Sequence, residues 1–311
     1  MTRDRTLLVV LGALAFIAAI GLVMPKWTLF LLTIALAKGL VVMGLMLFLR
    51  AGLVSFGQAL FFCVGGYAAG SLGHFLGRSD VFLLMLAGGA ASGIAAFVLG
   101  FLMARYRGIF FGLLSLALSM ILYGLLVKTE ALGSTDGFNV LPYTVLGARP
   151  GEDWVRYVLV VVAAGAAALA ALGVNRYLST PLGRLAPAIK DNEIRVEYMG
   201  ASARRAIHVK YVIAGVLAGI GGALVAAAVG HIDPEMAYWT TSGEFIFVAI
   251  LGGTGSVLAP LLGSIIFYSI HSFAFDLSPN TWQMVLGTAL LVVIVFLPNG
   301  LWSLFVRGRV A

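Results

Sequence analysis

Lys38 stands near the middle of "WTLFLLTIALAKGLVVMGLMLFLR", residues 27–50, among neighbours that are almost all apolar. A charge at the centre of a membrane helix costs about 2.5–3.5 kcal/mol on insertion scales. From mid-span its side chain reaches neither interface easily. No clear mid-span acid is found to pair with it. Three partners remain: backbone carbonyls freed at a helix break, an acid of a second subunit, or the carboxylate of a solute. The other concentration of chemistry is "RLAPAIKDNEIRVEYMGASARR", 184–205, which gathers Arg184, Lys190, Asp191, Glu193, Arg195, Glu197, Arg204 and Arg205. His74, His208, His231 and His271 lie near predicted membrane boundaries with no ligand-like spacing, so neither a metal site nor a cofactor is expected. No Ser/His/Asp set, paired carboxylate or G-x-x-x-x-G-K-[ST] phosphate loop is present, so no catalytic or ATPase site is expected.

The elements that position these residues follow from composition. The 311 residues are 61% hydrophobic and 11% charged, too few charges to cover a water-soluble domain. Apolar runs of about 20 residues match the hydrocarbon core of a bilayer. The sequence predicts an all-α polytopic membrane protein, one transmembrane domain over 1–311. Spans are expected at 6–24, 28–49, 53–73, 81–104, 108–127, 154–174, 209–229, 257–275 and 282–297, about nine in all. The first resembles a signal peptide but is too long, and is read as a retained helix. Cys63 lies in an apolar run and has no second cysteine to pair with. The net charge of +7 points to basic loops on one side and not to nucleic acid.

Charge fixes the expected sidedness. "RDR", Arg50 and "RYR" at 105–107 mark one side, and residues 175–210 carry seven basic residues against three acids. Loop 128–153 has two basic residues against four acids, and loop 230–244 has Asp233, Glu235 and Glu244 with no Lys or Arg. The positive-inside rule puts the first group, with both termini, in the cytoplasm. For the basic tail to lie there, the Gly-rich stretch 244–256 must dip in and turn at "GGTGS". A re-entrant or broken element at Gly252–Ser256 is expected, tolerated at that depth only inside protein or beside a wet cavity. "AGLVSFGQALFFCVGGY" (51–67) and "GGTGSVLAPLLGSIIFY" (252–268) share Gly, Ser, Leu and Tyr at matching offsets, a weak echo of the kind that transporter repeats leave. Gly215 and Gly219, with Gly222 one turn on, suit close helix packing.

The charged island, in a loop expected over 175–208, reads as a short helix at about 187–199. Thr180–Pro181 and Ala186–Pro187 offer starts. Asp191 and Arg195 are spaced as an i,i+4 pair. Ile189, Val196 and Met199 form one apolar stripe, and Gly200 suits a left-handed C′ position. Alone such a helix is marginal. It is either a solvated loop that sets topology or a helix that docks on a cytoplasmic partner. "STDGFN", 134–139, is a polar turn or a contact for a soluble partner.

Four stretches in order resemble the LivM-type permeases, membrane subunits of ABC importers for branched-chain amino acids. "GRLAPAIKDNEIRVEYMGASARRAIHVKYVIAGVLAGIGGAL", 183–224, is similar to the family's G-R-x-x-x-A-I-[RK]-[ED]-[ND]-E coupling segment and following helix. "AGLVSFGQALFFCVGGYAAG", "RYRGIFFGLLSLALSMI" and "FVAILGGTGSVLAPLLGSII" are similar to three further family runs, with Phe for Tyr, Ser115 for Thr and Ala259 for Gly. Gln58 stands where many relatives have His, and Lys38 is unusual. The resemblance implies a bacterial inner-membrane permease that translocates branched-chain or other hydrophobic amino acids. It implies two ATP-binding subunits, a second homologous permease subunit and an extracytoplasmic solute-binding protein in the lipid bilayer, with no nucleic acid. It carries ATPase coupling onto Gly183, Arg184, Ile189, Lys190, Asp191, Glu193 and Gly200. Apart from the resemblance, a translocation pathway is expected at Lys38, for its mid-span charge, and at Ser55, Gln58, Gly252, Gly253 and Thr254. Urea, short amides or aromatic acids are alternative substrates. An ion-driven transporter is a rival that needs buried mid-span carboxylates, and none is found.

Overall fold

The computed structural model describes residues 5–151, 153–277, 281–297 and 300–306. Its helices are α1 (Arg5–Gly21), α2 (Lys26–Leu49), α3 (Gln58–Leu76), α4 (Val81–Met103), α5 (Gly108–Val127), α6 (Val155–Ser179), α7 (Pro181–Tyr198), α8 (Ala203–Val229), α9 (Trp239–Gly252), α10 (Ala259–Leu277), α11 (Trp282–Phe296) and α12 (Ser303–Val306). The chain is an all-α polytopic membrane protein. Six of these helices (α2, α3, α4, α5, α6 and α8) are long and apolar enough to cross a bilayer. Two dipeptide strands, β1 (Phe138–Asn139) and β2 (His231–Ile232), pair antiparallel, so the expected polar turn at 134–139 is tied to the segment after α8.

α8 is the central post, packed by α2, α3 and α4. Its small residues allow this, as their spacing predicted. A Cβ at Gly219 would run into the Gly88 carbonyl and the Ser92 side chain, and one at Gly222 into the Phe62 carbonyl. Lipid tails are as apolar as leucine, so close van der Waals packing and interhelical hydrogen bonds hold such helices together. Ser92 supplies one of these bonds, Oγ to the Phe61 carbonyl at 2.7 Å.

Contacts sort the connections onto two sides. On one, Lys26 pairs with Asp153, Val81 N–H donates to the Thr144 carbonyl, and β1 meets β2. On the other, Arg107 pairs with Glu193 and Arg50 donates to the Thr254 carbonyl. The island, Arg50, "RYR" and the turn between α9 and α10 therefore share a side, as the charges required. Residues 1–4 and the basic tail 307–311 lie outside the described residues.

Three sequence-based boundaries need correction. The span expected at 53–73 begins at Gln58, after a non-helical climb through 50–57. Along that climb Phe56 N–H donates to Ser115 Oγ, seven residues or about 10 Å up α5 from Gly108. α3 thus starts well inside the molecule. Loop 230–244 is non-helical or 3-10 only to Tyr238, so Glu244 belongs to α9. This connection also runs inward, because the Ala237 carbonyl accepts from Ser119 Oγ, mid-way along α5. The island helix begins at Pro181 and not at 187.

The internal echo has a structural counterpart. α3 and α10 begin at Gln58 and Ala259, 201 residues apart, and α4 and α11 at Val81 and Trp282, again 201 apart. Gly52 and Gly253, the same distance apart, both have positive φ, +74° and +85°. Ser55 Oγ and Ser256 Oγ each accept the backbone N–H two residues on. The expected break at Gly252–Ser256 is therefore real, and it repeats the break that precedes α3.

Candidate functional site

A cleft of about 1320 Å³ opens between α2, α9, α10 and α11. Its rim carries Trp27, Asp276 and Trp282, at the ends of α2, α10 and α11 opposite the island. Its depth carries Ile34, Phe247, Ile250 and Leu290. Lys38 lines it, twelve residues or about 18 Å along α2 from Lys26. The expectation that this lysine has no acid of its own chain is overturned. Its Nζ lies 3.4 Å from Glu244 Oε2 and 4.5 Å from the centre of the Tyr268 ring. Both charged side chains keep some exposure, 19% and 25%, on the wall of the cleft. Glu244 was missed because α9 starts at Trp239, after the inward-running segment. No side chain caps the start of α9, so the sequence carries no local start signal there.

Of the residues assigned to a pathway, only Lys38 lines this cleft among the described residues. Ser55 and Gln58 sit behind α9, at the buried start of α3. There the Ala59 N–H donates to Ser242 Oγ of α9 at 3.1 Å. Gln58 is fully buried, and neither amide atom has a hydrogen-bond partner. α9 thus separates two polar places, with Glu244 on one face and Ser242 on another. Gly252, Gly253 and Thr254 lie at the island end. Gly253 has φ +85° and ψ 172°, a conformation essentially reserved for glycine. The carbonyls that the end of α9 leaves free are taken by Leu301 N–H on Leu251 and Trp302 N–H on Gly252. Arg50 Nε donates to the Thr254 carbonyl at 2.9 Å, so the two breaks touch.

The island is built in two pieces. Thr180 caps its start, with Oγ1 accepting from Gly183 N–H at 3.2 Å, and Pro181 takes the first turn. Gly183 is required there, since a Cβ would meet the Tyr177 carbonyl and Leu178. The helix kinks at Asn192, whose φ of −159° is extended and whose Oδ1 caps Arg195 N–H at 2.9 Å. Among the described residues the Asp191–Arg195 pair is therefore not formed, and Glu193 faces Arg107 instead. That bond is bidentate, Nε to Oε2 at 2.6 Å and Nη2 to Oε1 at 2.7 Å, while Nη1 holds the Ala104 carbonyl at 2.8 Å. Gly200 takes the left-handed C′ position, φ +82°, with both bonds of a Schellman end: Ala201 N–H to Val196 and Gly200 N–H to Glu197. Ile189 and Val196 are buried, but Met199 leaves the expected stripe and is exposed together with Ile194 and Tyr198. Arg184, Lys190 and Asp191 are also exposed, and the stem of Lys190 packs beside Gly52.

The description "branched-chain amino acid transport system / permease component" matches residues 27–295. The chain is 30% identical over 298 residues to the high-affinity branched-chain amino acid transport system permease protein LivM of Escherichia coli, covering 88% of this chain and 68% of that protein. The LivM protein of Salmonella typhimurium gives the same figures. The permease protein BraD of Pseudomonas aeruginosa is 25% identical over 264 residues, 80% of this chain and 86% of its own. No solved structure matches.

Proposed function

The chain belongs to the branched-chain amino acid transport permease family, and from that premise we propose that it is one of two membrane subunits of an ABC importer in the bacterial inner membrane. The other subunit is a homologous permease, and two ATP-binding subunits and an extracytoplasmic binding protein complete the assembly. Branched-chain or other hydrophobic amino acids are the cargo. Loop 128–153 faces the binding protein, and the island faces the cytoplasm.

The observation that carries the coupling role is the shape of α7. Its inward residues Gly183, Ala186, Ile189 and Val196 pack on this chain. Its outward ones, Ile194, Tyr198 and Met199, are apolar and uncovered, framed by Arg184, Lys190, Asp191 and Glu197. A helix end that keeps a tyrosine 89% exposed beside alternating charges has the composition of an interface core with a polar rim. The absence of mid-span acid no longer argues against an ion-driven transporter, since Glu244 supplies one. Its charge is already paired with Lys38, and family membership favours the ATP-driven reading.

Single cysteines at Ile194 and Tyr198 are expected to crosslink to a purified ATP-binding partner, and a cysteine at Thr135 is not. Crosslinking absent from both α7 positions in an actively transporting complex would refute the coupling role.

A further inference from the structure

We propose that the Lys38–Glu244 pair is a head-group site for a free zwitterionic α-amino acid, with Glu244 taking the ammonium, Lys38 the carboxylate, and the apolar cleft the side chain. This rests on the permease reading and names the solute class that the permease itself recognises. Three observations carry it.

The first is position. The pair lies on the wall of a cleft and not in a packed core, and each member is about one-fifth to one-quarter exposed. At about 1320 Å³ the cleft exceeds the roughly 300–1,000 Å³ of a pocket that encloses one small molecule. It is a vestibule, and the two charges lie at depth within it, past the rim of Trp27 and Trp282.

The second is the quality of the bond. Charge-assisted N–H···O contacts close to about 2.7–2.9 Å. This one stands at 3.4 Å and is single, although nothing covalent prevents closer approach. Lys38 also rests on the Tyr268 ring, whose face attracts a cation. Each charge is held near its partner without being fully used. An α-amino acid carries the complementary charges a few ångström apart, so it can replace one long contact with two short ones. The site cannot do this for a neutral amide, and it leaves one member unpaired for a ligand carrying a single charge. An unpaired charge away from water is costly, which makes such a site reject the singly charged analogues.

The third is the surrounding wall. Phe30, Ile34, Phe247, Ile250, Leu286 and Leu290 face the same cleft. Branched aliphatic side chains gain about 25 cal/mol for each Å² they bury against such a surface. Hydrogen-bonding groups are fewer and gather around the pair, Thr240 and Thr241 one turn before Glu244, and His271 and Ser272 one turn beyond Tyr268. Those groups lie where a head group would sit, and the aliphatic and aromatic wall is left for the side chain.

The test uses the full chain in lipid nanodiscs with its subunits, without binding protein, and equilibrium binding of three probes: leucine, leucinamide and 4-methylpentanoate. The parent is expected to prefer leucine at least tenfold over both analogues. Lys38→Met should reduce leucine binding tenfold or more and bring leucinamide level with it. Glu244→Gln should do the reverse, bringing 4-methylpentanoate level. The exchange Lys38→Glu with Glu244→Lys should restore leucine binding to within a few-fold. Equal weakening of all three probes by both single variants, with lower complex yield, would show a purely structural pair and overturn the proposal. So would parent-level leucine preference in either variant, or a cleft that binds no probe because the second permease covers it. Failure of the permease reading looks different: α7 cysteines would not reach an ATP-binding partner while the probe pattern persisted.

Discussion

Of the ion pairs that join distant segments among the described residues, the two least exposed are built differently. Arg107 and Glu193 meet through two parallel bonds of 2.6 and 2.7 Å, and the same guanidinium ties down the end of α4 through the Ala104 carbonyl. The planar fork of arginine fits a carboxylate in one geometry, so this pair defines an angle as well as a distance. Glu193 also opens the second piece of α7, where the helix dipole favours an acid. Lys38 and Glu244 meet through one contact of 3.4 Å on the wall of a cleft. Lysine is a point charge on a flexible stem, so it fixes little and exchanges partners readily. On the proposed reading the island pair is a joint that transmits position, and the membrane pair is a contact that can change partners. The proposed importer would need both: a rigid connection to its energy source and a labile contact with its cargo.

Breaking the joint should have the larger effect on transport. Glu193→Arg sets two guanidinium groups against each other beside Ala104. The chain should insert normally, while ATP-driven uptake falls tenfold or more. The second change Arg107→Glu should recover much of it, because the fork can form in reverse. Uptake at the parent level in Glu193→Arg would show that α7 does not depend on the joint. Next in size are the coupling energies themselves, read by double-mutant cycles on reversible unfolding of the purified chain. Hydrogen bonds to charged groups contribute about 1.5–3 kcal/mol, the expectation for Arg107 with Glu193. A pair still wetted by the cleft falls nearer about 1 kcal/mol, the expectation for Lys38 with Glu244. Equal coupling energies would erase the distinction between joint and site.

How far each pair could be read from sequence follows from the same difference. The helices 81–103 and 108–127 were legible almost to the residue, since long apolar runs end in local signals: Asp80 caps α4 through Phe82 N–H, and Arg107 starts α5. Gly200 was legible for the same local reason. The α3 start was not, because "LVSFG" reads as helix. It is held extended partly by Ser115, whose hydroxyl takes the Phe56 N–H from 59 positions away. The Arg107–Glu193 joint spans 86 positions and displaces an i,i+4 pair that local spacing favoured, since Asn192 caps a new helix piece instead. Lys38 announced that it needed a partner. The partner, 206 positions on, was hidden by a loop boundary placed six residues too late. Local chemistry writes helix ends, whereas the pairs that couple helices depend on packing that no short stretch encodes.

A third pair supplies the lower limit of the comparison. Lys26 Nζ and Asp153 Oδ1 are 2.8 Å apart, shorter than the membrane pair, yet their side chains are 58% and 86% exposed. Short distance alone would rank this contact above Lys38–Glu244, but water and salt screen it, and exposed pairs of this kind contribute little. Its effect should be visible only in titration. The hydrogen bond and charge of Lys26 hold the Asp153 carboxyl below the usual carboxylate range. A depressed folded value means that the ionised form is favoured by folding, so the contribution is present above the unfolded value of about 3.9 and disappears as pH falls through the folded one. Asp153→Asn should therefore leave uptake unchanged at pH 7 and lower thermal stability there only slightly. That slight difference should close as pH falls below about 4, where the parent loses the contribution the variant never had, and 1 M salt, with a Debye length of about 3 Å, should remove it at pH 7 as well. A clear loss of uptake at neutral pH in Asp153→Asn would mean that the tie between the 128–153 loop and α2 matters to transport, and that exposure is a poor guide to which of the three pairs the molecule uses.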